Sequence, residues 1–492
     1  LAVIKRVLLV LLLALLVLAV MVAGNAYRTP SRQLQVPAIQ KLAVDEKAVA
    51  ERLAGAIPIR TVSSFDNAQQ NGEEFRKLHA YLAQRFPRLH ATLKKEVVGD
   101  NALFFTWTGS DPAAKPIALM AHQDVVPIAP GTEKAWEADP FSGQIKDGFV
   151  WGRGTWDNKG NLLAQMEAIE MLVAEGFQPR QTVYLVAGDD EEVSGLRGAK
   201  PIAELLKSRG VKLDWVLDEG LLVTEGVLAG LDKPAALIGT AEKGYGTFFL
   251  SLDTAPGHSS MPPPSTAIGS MSAALAKLEA NPMPASISGV AADMFGAVAP
   301  EMRGINRILL SNLWLFGPLV RAQLEKGAST NAMLRTTTAL TIVRAGNKDN
   351  VLPGRAEAAV NFRILPGDSL ASVEAHIRKT IDNDAIAIKA YPGNAEPTPV
   401  ASSSSPSYRT LQMTVQQAFP DAIVVPGLYI AASDSRHFVD VADNVFRFSP
   451  VRARSEDLPR FHGTNERISI ANYVEMIRFY HQLLRNSAQP TS

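Results

Sequence analysis

The stretch Thr182-Val183-Tyr184-Leu185-Val186-Ala187-Gly188-Asp189-Asp190-Glu191-Glu192 decides the fold of this 492-residue chain. Its first six residues, mostly β-branched, aromatic or aliphatic, fit a short buried strand, which the glycine and the acids end. Four adjacent carboxylates repel one another. On a surface they would form an ordinary solvated face, but directly behind a buried strand their desolvation calls for a cation. The pattern recurs elsewhere. Ile117–Ala121 precedes His122-Gln123-Asp124, and Trp215–Leu217 precedes Asp218-Glu219-Gly220. Leu162, Met166, Ile169, Leu172 and Val173 stand at helical spacing and predict a helix over 161–175. Strands alternating with helices predict an α/β layer with a largely parallel sheet. Such sheets carry their functional groups just past the C-terminal ends of strands, where these polar clusters stand.

Beyond residue 240 the pattern changes. Phe248, Leu250 and Leu252 alternate with polar residues. Ala356, Ala358, Val360, Phe362 and Ile364 form one face of a period-two strand that carries Asn361 and Arg363 on the other. Ser369 is placed to cap a helix bearing Leu370, Val373, Ile377 and Ile381, and 385–391 reads as a further strand. Residues 240–394 therefore read as a small α+β unit inserted into a first domain made of 45–239 and 395–486, with the Ser-rich 402–407 marking the return. The apolar, Pro-interrupted segment 282–328, with Leu309, Leu310, Trp314, Leu315 and Phe316, reads as helices packing within the insert. A hydrophobic substrate wall or a membrane-facing surface is the sharper alternative.

At the other end, Lys5 and Arg6 precede an unbroken apolar run from Val7 to Ala23. Its length is at the short end of what crosses a bilayer as a helix. Residues 1–24 are expected to be a membrane anchor with the rest of the chain outside the cytoplasm, since flanking basic residues stay inside. A cleaved signal peptide, with Ala23, Gly24 and Ala26 near the cleavage site, is the close alternative, and it gives a secreted or periplasmic enzyme. Residues 25–44, with Pro30 and Pro37, read as a linker. Basic and acidic residues balance at 49 each, so no nucleic-acid partner is expected. Cysteine is absent, so any transition metal must be held by imidazole and carboxylate.

The chemistry-bearing residues fall into five clusters. In His122-Gln123-Asp124 a neutral imidazole can ligate metal, and the carboxylate two residues on can fix its tautomer. Gly152-Arg153-Gly154-Thr155-Trp156-Asp157-Asn158-Lys159-Gly160 places glycines around one carboxylate, which suits close backbone near a ligand. It is no phosphate loop, because no Lys-Ser or Lys-Thr pair ends it. Asp157 reads equally well as a plain helix N-cap. In Glu191-Glu192 one carboxylate can bind metal while its neighbour stays free as a base. Asp218-Glu219-Gly220 and Phe461-His462-Gly463-Thr464-Asn465-Glu466 complete the set.

In this order the five motifs resemble the M20 metallopeptidases, the group that includes carboxypeptidase G2, aminoacylase-1, succinyl-diaminopimelate desuccinylase and carboxypeptidase S, over roughly residues 45–486. The nearest branch resembles carboxypeptidase S and the secreted N-acyl amino acid amidohydrolases. The resemblance implies a mixed-sheet zinc-peptidase catalytic domain, an α/β/α sandwich of the aminopeptidase/phosphorylase kind, with an inserted α+β lid and dimerisation domain. It implies two Zn2+ ions, with Co2+ or Mn2+ fitting the same donors. His122 and Asp218 would hold one ion, Glu192 and His462 the other, and Asp157 would bridge them. Asp124 would orient His122, and Glu191 would be the general base. Pro256-Gly257-His258-Ser259-Ser260 matches the lid histidine that assists the reaction, often across a homodimer interface. Asn350, Arg363 and Arg436 match positions that contact substrate, although Ala432-Ser433-Asp434-Ser435-Arg436 departs from the usual Gly-Gly-Thr-Asp at its start. The implied activity is hydrolysis of the amide bond in a small peptide or N-acyl amino acid bearing a free carboxylate. A non-catalytic binding or scaffold protein keeping the fold is the rival, opposed by the intact Glu191 and ligand set.

Overall fold

The computed structural model describes residues 2–37, 39–67, 69–228 and 230–488. Along the chain come strands β1 (Lys94–Val98), β2 (Ala102–Trp107), β3 (Ile117–His122), β4 (Val183–Gly188), β5 (Leu213–Glu225) and β6 (Ala235–Glu242). A second group follows as β7 (Gly244–Asp253), β8 (Thr337–Ala345), β9 (Arg355–Ile364) and β10 (Ala387–Ala390). Then come β11 (Ile423–Tyr429) and β12 (Ala442–Arg454). The first and last groups form one eight-stranded sheet in the order β1-β2-β4-β3-β5-β12-β6-β11. Its centre, β4-β3-β5-β12, is parallel, and the β1-β2-β4 edge is antiparallel.

Side-chain alternation builds the layers. On β3, Ile117, Leu119 and Ala121 face a core shared with helices Lys159–Ala174, Pro406–Ala418 and Ile470–Ser487. Ala118 and Met120 face the opposite layer, which holds helix Ala199–Ser208. Period-two geometry sends successive side chains to opposite faces, so a sheet covered on both sides needs strands that are apolar throughout. All six residues of β3 are buried. The expected helix over 161–175 is present as Lys159–Ala174.

The chain passes from the large sheet to a smaller one between Glu242 and Gly244. The smaller sheet is antiparallel in the order β8-β9-β7-β10, and helices Ala267–Ala280 and Leu370–Ile381 cover one face. Ser369 caps the second of these helices in a capping box with Ser372. The segment 282–328 does not pack within this unit. Its helix Gly289–Val298 lies on β11, where Ala291, Met294 and Phe295 share a core with Ile423 and Val425 of the large sheet. Residues 30–37 and 39–45 form no regular element. They are strapped to the large domain where the Gln33 side chain accepts from the Val424 amide (2.7 Å) and donates to its carbonyl (3.0 Å).

One buried ion pair ties the two directions of the large sheet together. Arg447 of β12 is fully buried, and its Nε donates to Glu242 Oε2 of β6 at 2.9 Å. Removing one partner of such a pair leaves an uncompensated buried charge. Arg447→Met is expected to lower stability by about 3–5 kcal/mol in denaturant titration, and adding Glu242→Gln should recover part of the loss. Equal stability of the Arg447→Met variant and the parent would show that Glu242 finds another partner.

Candidate metal centre

The central strands β4, β3 and β5 lie side by side and deliver the acidic clusters to one place. His122 is the last residue of β3. Its Nδ1 lies 3.1 Å from Asp124 Oδ1, and its Nε2 lies 3.0 Å from Asp157 Oδ1 and 3.3 Å from Glu219 Oε1. Asp157 Oδ2 is 2.8 Å from His462 Nε2, which is also 3.2 Å from Glu192 Oε2. Two donor triads result, His122–Asp157–Glu219 and Asp157–Glu192–His462, each with ligand atoms within 4.8 Å of one another. Asp157 belongs to both. It is not a helix N-cap: Asn158 takes that position, and the Asp157 carboxylate faces the two histidines.

Asp218, expected as a ligand beside His122, is not brought into either triad. Its oxygens accept the backbone N–H groups of Glu219 (2.9 Å) and Ser435 (2.8 Å). The neighbouring Glu219 reaches the cluster instead, held by Asn158 Nδ2 at 2.6 Å. A one-residue shift along a strand reverses the side on which a side chain lies, so two adjacent acids cannot both face the same cluster from an extended backbone.

Asp124 organises this end of the site. Besides meeting His122 it accepts from Ser63 Oγ at 2.6 Å and from the amides of Glu191 (3.2 Å) and Glu192 (3.1 Å). It thereby fixes the imidazole and the short turn that presents both glutamates. Asp190 does a similar backbone job, accepting the amides of Arg197 and Gly198 at 2.9 Å each. Close packing behind the turn explains Gly195. At its φ of +67° a Cβ would meet the Asp434 carboxylate, so both conformation and space exclude a side chain.

Glu466, in the His462 motif, joins the two most distant clusters. Its carboxylate accepts the amides of Gly154 (2.9 Å), Trp156 (2.9 Å) and Asp157 (3.1 Å), and it pairs with buried Arg153 at 2.5 Å. Arg153 also donates to the carbonyls of His462 and Gly463. The 152–157 turn and the 462–466 turn are thus one unit, which aims Asp157 and His462 at each other. His462 itself has φ of +56° and stacks on Phe461 with ring centroids 4.5 Å apart.

The electrostatics of the cluster call for cations. Burial pushes Glu192 up to about 7 and Glu219 up to about 8, and it holds Glu191 well above the usual carboxylate range. Asp157 stays low although burial opposes its ionisation, because His122 and His462 donate to it. Hydrogen bonds to Asp157 and Glu192 carry His462 up to about 10. A bound cation competes for those same nitrogens. Glu192 Oε1 is buried with no hydrogen-bond partner, an unspent acceptor on the carboxylate whose other oxygen meets His462. Imidazole nitrogen and carboxylate oxygen, without thiolate, suit a borderline divalent ion, so the residues present fit a metal.

The remaining expected site residues lie apart from the triads. His258 is exposed on a two-residue strand paired with Val351, and its Nδ1 bonds Ser260 Oγ at 2.8 Å. Asn350 is exposed next to this pair, and its carbonyl accepts the Ser259 amide. Arg363 projects from β9 over the Tyr245 ring, 5.0 Å from its centroid. Burial depresses its pKa, and the positive field of Arg436 adds to that, so the two guanidiniums sit near one another at the junction of the sheets. Arg436 Nε is buried without a partner. Two residues here had no signal in the spacing. Lys243, lowered to about 7 by burial and by Arg363, donates to the carbonyls of Ala332 and Arg335. Tyr429, at the end of β11, is buried in the field of Glu219, Glu191 and Asp157. Both follow strands of ordinary apolar pattern and become visible only when the strands are laid side by side.

Comparison with known proteins agrees with this architecture. The profile of "Peptidase family M20/M25/M40" matches residues 118–486. The "N-fatty-acyl-amino acid synthase/hydrolase PM20D1" of Xenopus tropicalis is 41% identical, over 97% of this chain and 93% of its own length. "Carboxypeptidase S" of Saccharomyces cerevisiae is 31% identical over 89% of this chain and 83% of its own. Among solved structures, an M20 family metallo-carboxypeptidase from Sulfolobus solfataricus superposes with a TM-score of 0.64 at 18% identity, covering 91% of this chain and all of its own. Human carnosine dipeptidase 1 gives 0.62 at 16% identity, covering 90% of this chain and 96% of its own. The profile covers most of the chain and the relatives align along nearly all of it, so the protein belongs to peptidase family M20/M25/M40 and is a metal-dependent hydrolase.

Proposed function

We propose that this protein is an exported two-zinc amidohydrolase that cleaves the amide bond of small substrates carrying a free carboxylate, N-acyl amino acids first among them. The observation that carries this reading is the pair of donor triads sharing Asp157, with the Glu191 carboxyl beside them and outside both. His122, Asp157 and Glu219 would hold one ion, and Asp157, Glu192 and His462 the other. Bound there, such ions polarise a carbonyl and lower the pKa of water.

The chain's own residues supply the rest. Burial holds the Glu191 carboxyl well above the usual carboxylate range, in the fields of His122, Glu219, Asp434 and Glu192, which makes it a stronger base than an exposed carboxylate. It removes a proton from the attacking water and passes it to the leaving nitrogen. Asp124 holds Glu191 in place through the backbone amide and keeps the His122 ring oriented. Arg363 and Arg436, at the seam between the sheets, form a positive corner suited to a substrate carboxylate. His258 would reach the reacting carbonyl from the lid, in its own chain or across a dimer, and Asn350 would flank the substrate beside it. Relatives named as N-fatty-acyl-amino acid synthase/hydrolases support the acyl substrate, and carboxypeptidase S supports the free carboxylate. Helix α1 (Ala2–Arg28) is exposed, and long and apolar enough to cross a membrane, which supports export through an N-terminal anchor.

Three outcomes are expected. With metal content held equal, Glu191→Gln should hydrolyse N-acyl amino acids on the order of 100- to 10,000-fold more slowly. Rates matching the parent would sink the mechanism. In metal analysis of the purified protein, Glu219→Ala should lose about one equivalent of zinc, while Asp218→Asn keeps both; the reverse pattern would return the ligand role to Asp218. Finally, Arg363→Met and Arg436→Met should raise KM about tenfold or more for substrates with a free carboxylate and leave their methyl esters unaffected. An equal effect on acid and ester would remove the guanidiniums from carboxylate recognition.

A further inference from the structure

The apolar segment that left the inserted unit has a use of its own. After the core helix Gly289–Val298, the chain forms two short helices, α2 (Gly304–Ser311) and α3 (Leu313–Leu324). The first eight residues of α3, Leu313 to Val320, contain no charged side chain and no polar group besides the Trp314 indole N–H. Val320 is buried, and Leu313 and Leu324 pack against the core under β11. The opposite face is apolar as well: Trp314 is 57% exposed and Leu319 61%, with Ile305 of α2 at 64%. A helix that is apolar all round is not at rest on an aqueous surface.

What lies beside this face identifies its cover. Asn312, fully buried between α2 and α3, donates from Nδ2 to the carbonyl of Val22 at 3.0 Å. Its Oδ1 accepts from both Asn25 Nδ2 and Trp314 Nε1, each at 3.2 Å. Arg307 donates from Nε to the Ala26 carbonyl at 2.6 Å and lies over the Tyr27 ring. The exposed Trp314 is thereby pinned to Val22–Asn25, the point where the apolar run of α1 ends. Tyr27, 69% exposed, is three residues past Gly24, with Arg28 next to it in the chain and Arg307 over its ring. An indole and a phenol beside the end of an apolar helix, with guanidiniums just beyond, is the arrangement that membrane–water interfaces select.

We infer that α2 and α3 form a membrane-docking surface: Ile305, Trp314, Leu315 and Leu319 enter the outer headgroup and upper acyl region of the bilayer that α1 spans, and so fix the hydrolase against the lipid surface. The inference rests on α1 being a membrane span. The bilayer becomes a platform, which suits an enzyme whose substrates carry acyl chains.

Trp314 is the reporter. The other five tryptophans are buried or half-buried in the folded domains, and α1 has none. The full chain is reconstituted in phosphatidylcholine/phosphatidylglycerol vesicles with lipids brominated high on their acyl chains. The expected result is a loss of emission on the order of one tryptophan in six, abolished by Trp314→Phe. The double variant Ile305→Asp/Leu319→Asp should weaken the quenching while still floating with vesicles and hydrolysing soluble substrates at the parent rate. Flotation without quenching, or quenching that survives Trp314→Phe, would overturn the docking surface and leave the anchor standing. Failure of the parent chain to float would overturn both. Trp314 shielding that depends on protein concentration in detergent would assign the face to a second copy of the chain instead.

Discussion

A carboxylate withdrawn from water must be met by donors or by positive charge, and the centre of this protein is arranged around that requirement. Three buried acids are met by the backbone: Asp124 by the amides of Glu191 and Glu192, Asp218 by those of Glu219 and Ser435, and Glu466 by those of Gly154, Trp156 and Asp157. Once satisfied, they hold loops in place and need nothing further. Glu192, Glu219 and Asp157 are left facing two histidines, and their buried charge is what a divalent cation neutralises. The division between acids that hold loops and acids left facing the histidines therefore follows from which of them reach backbone N–H groups.

The same division explains why the site survives being assembled from a discontinuous chain. His122 ends β3, Glu219 lies within β5 and Glu192 follows β4, so the sheet's hydrogen-bond register sets their spacing. Asp157 and His462 stand on turns, which lack such a ladder. The buried Arg153–Glu466 pair and its backbone bonds replace it by joining the two turns. A fully desolvated charge pair is justified when it fixes a unique arrangement rather than when it adds stability. Behind them the large sheet is apolar on both faces, which gives the site a rigid base.

Reading the chain residue by residue located the strands before His122, Glu191 and Asp218, the helix at 161–175 and the cap at Ser369, because each depends on local periodicity or a local hydrogen bond. It placed the 282–328 helices in the inserted unit, and the structure lays them on β11 and against α1. An apolar helix carries no label for its partner; neighbouring sequence is only the default guess, and here Ile423 and Val425 of the edge strand β11 supply the apolar surface.

The clearest boundary runs between Asp218 and Glu219. The sequence by itself determined that acids follow an apolar strand run there, that histidines and carboxylates alone must hold any metal, and which family the ordered motifs resemble; it expected the strand to close at those acids, whereas the structure carries it on to Glu225. Only the tertiary structure decided which of the two acids faces His122, because that depends on the phase of the strand and on Ser435 and Asn158 arriving from elsewhere to take one carboxylate and hold the other. Composition and spacing state which groups are available. Their direction is a property of the packed backbone, in which every neighbouring donor is already placed.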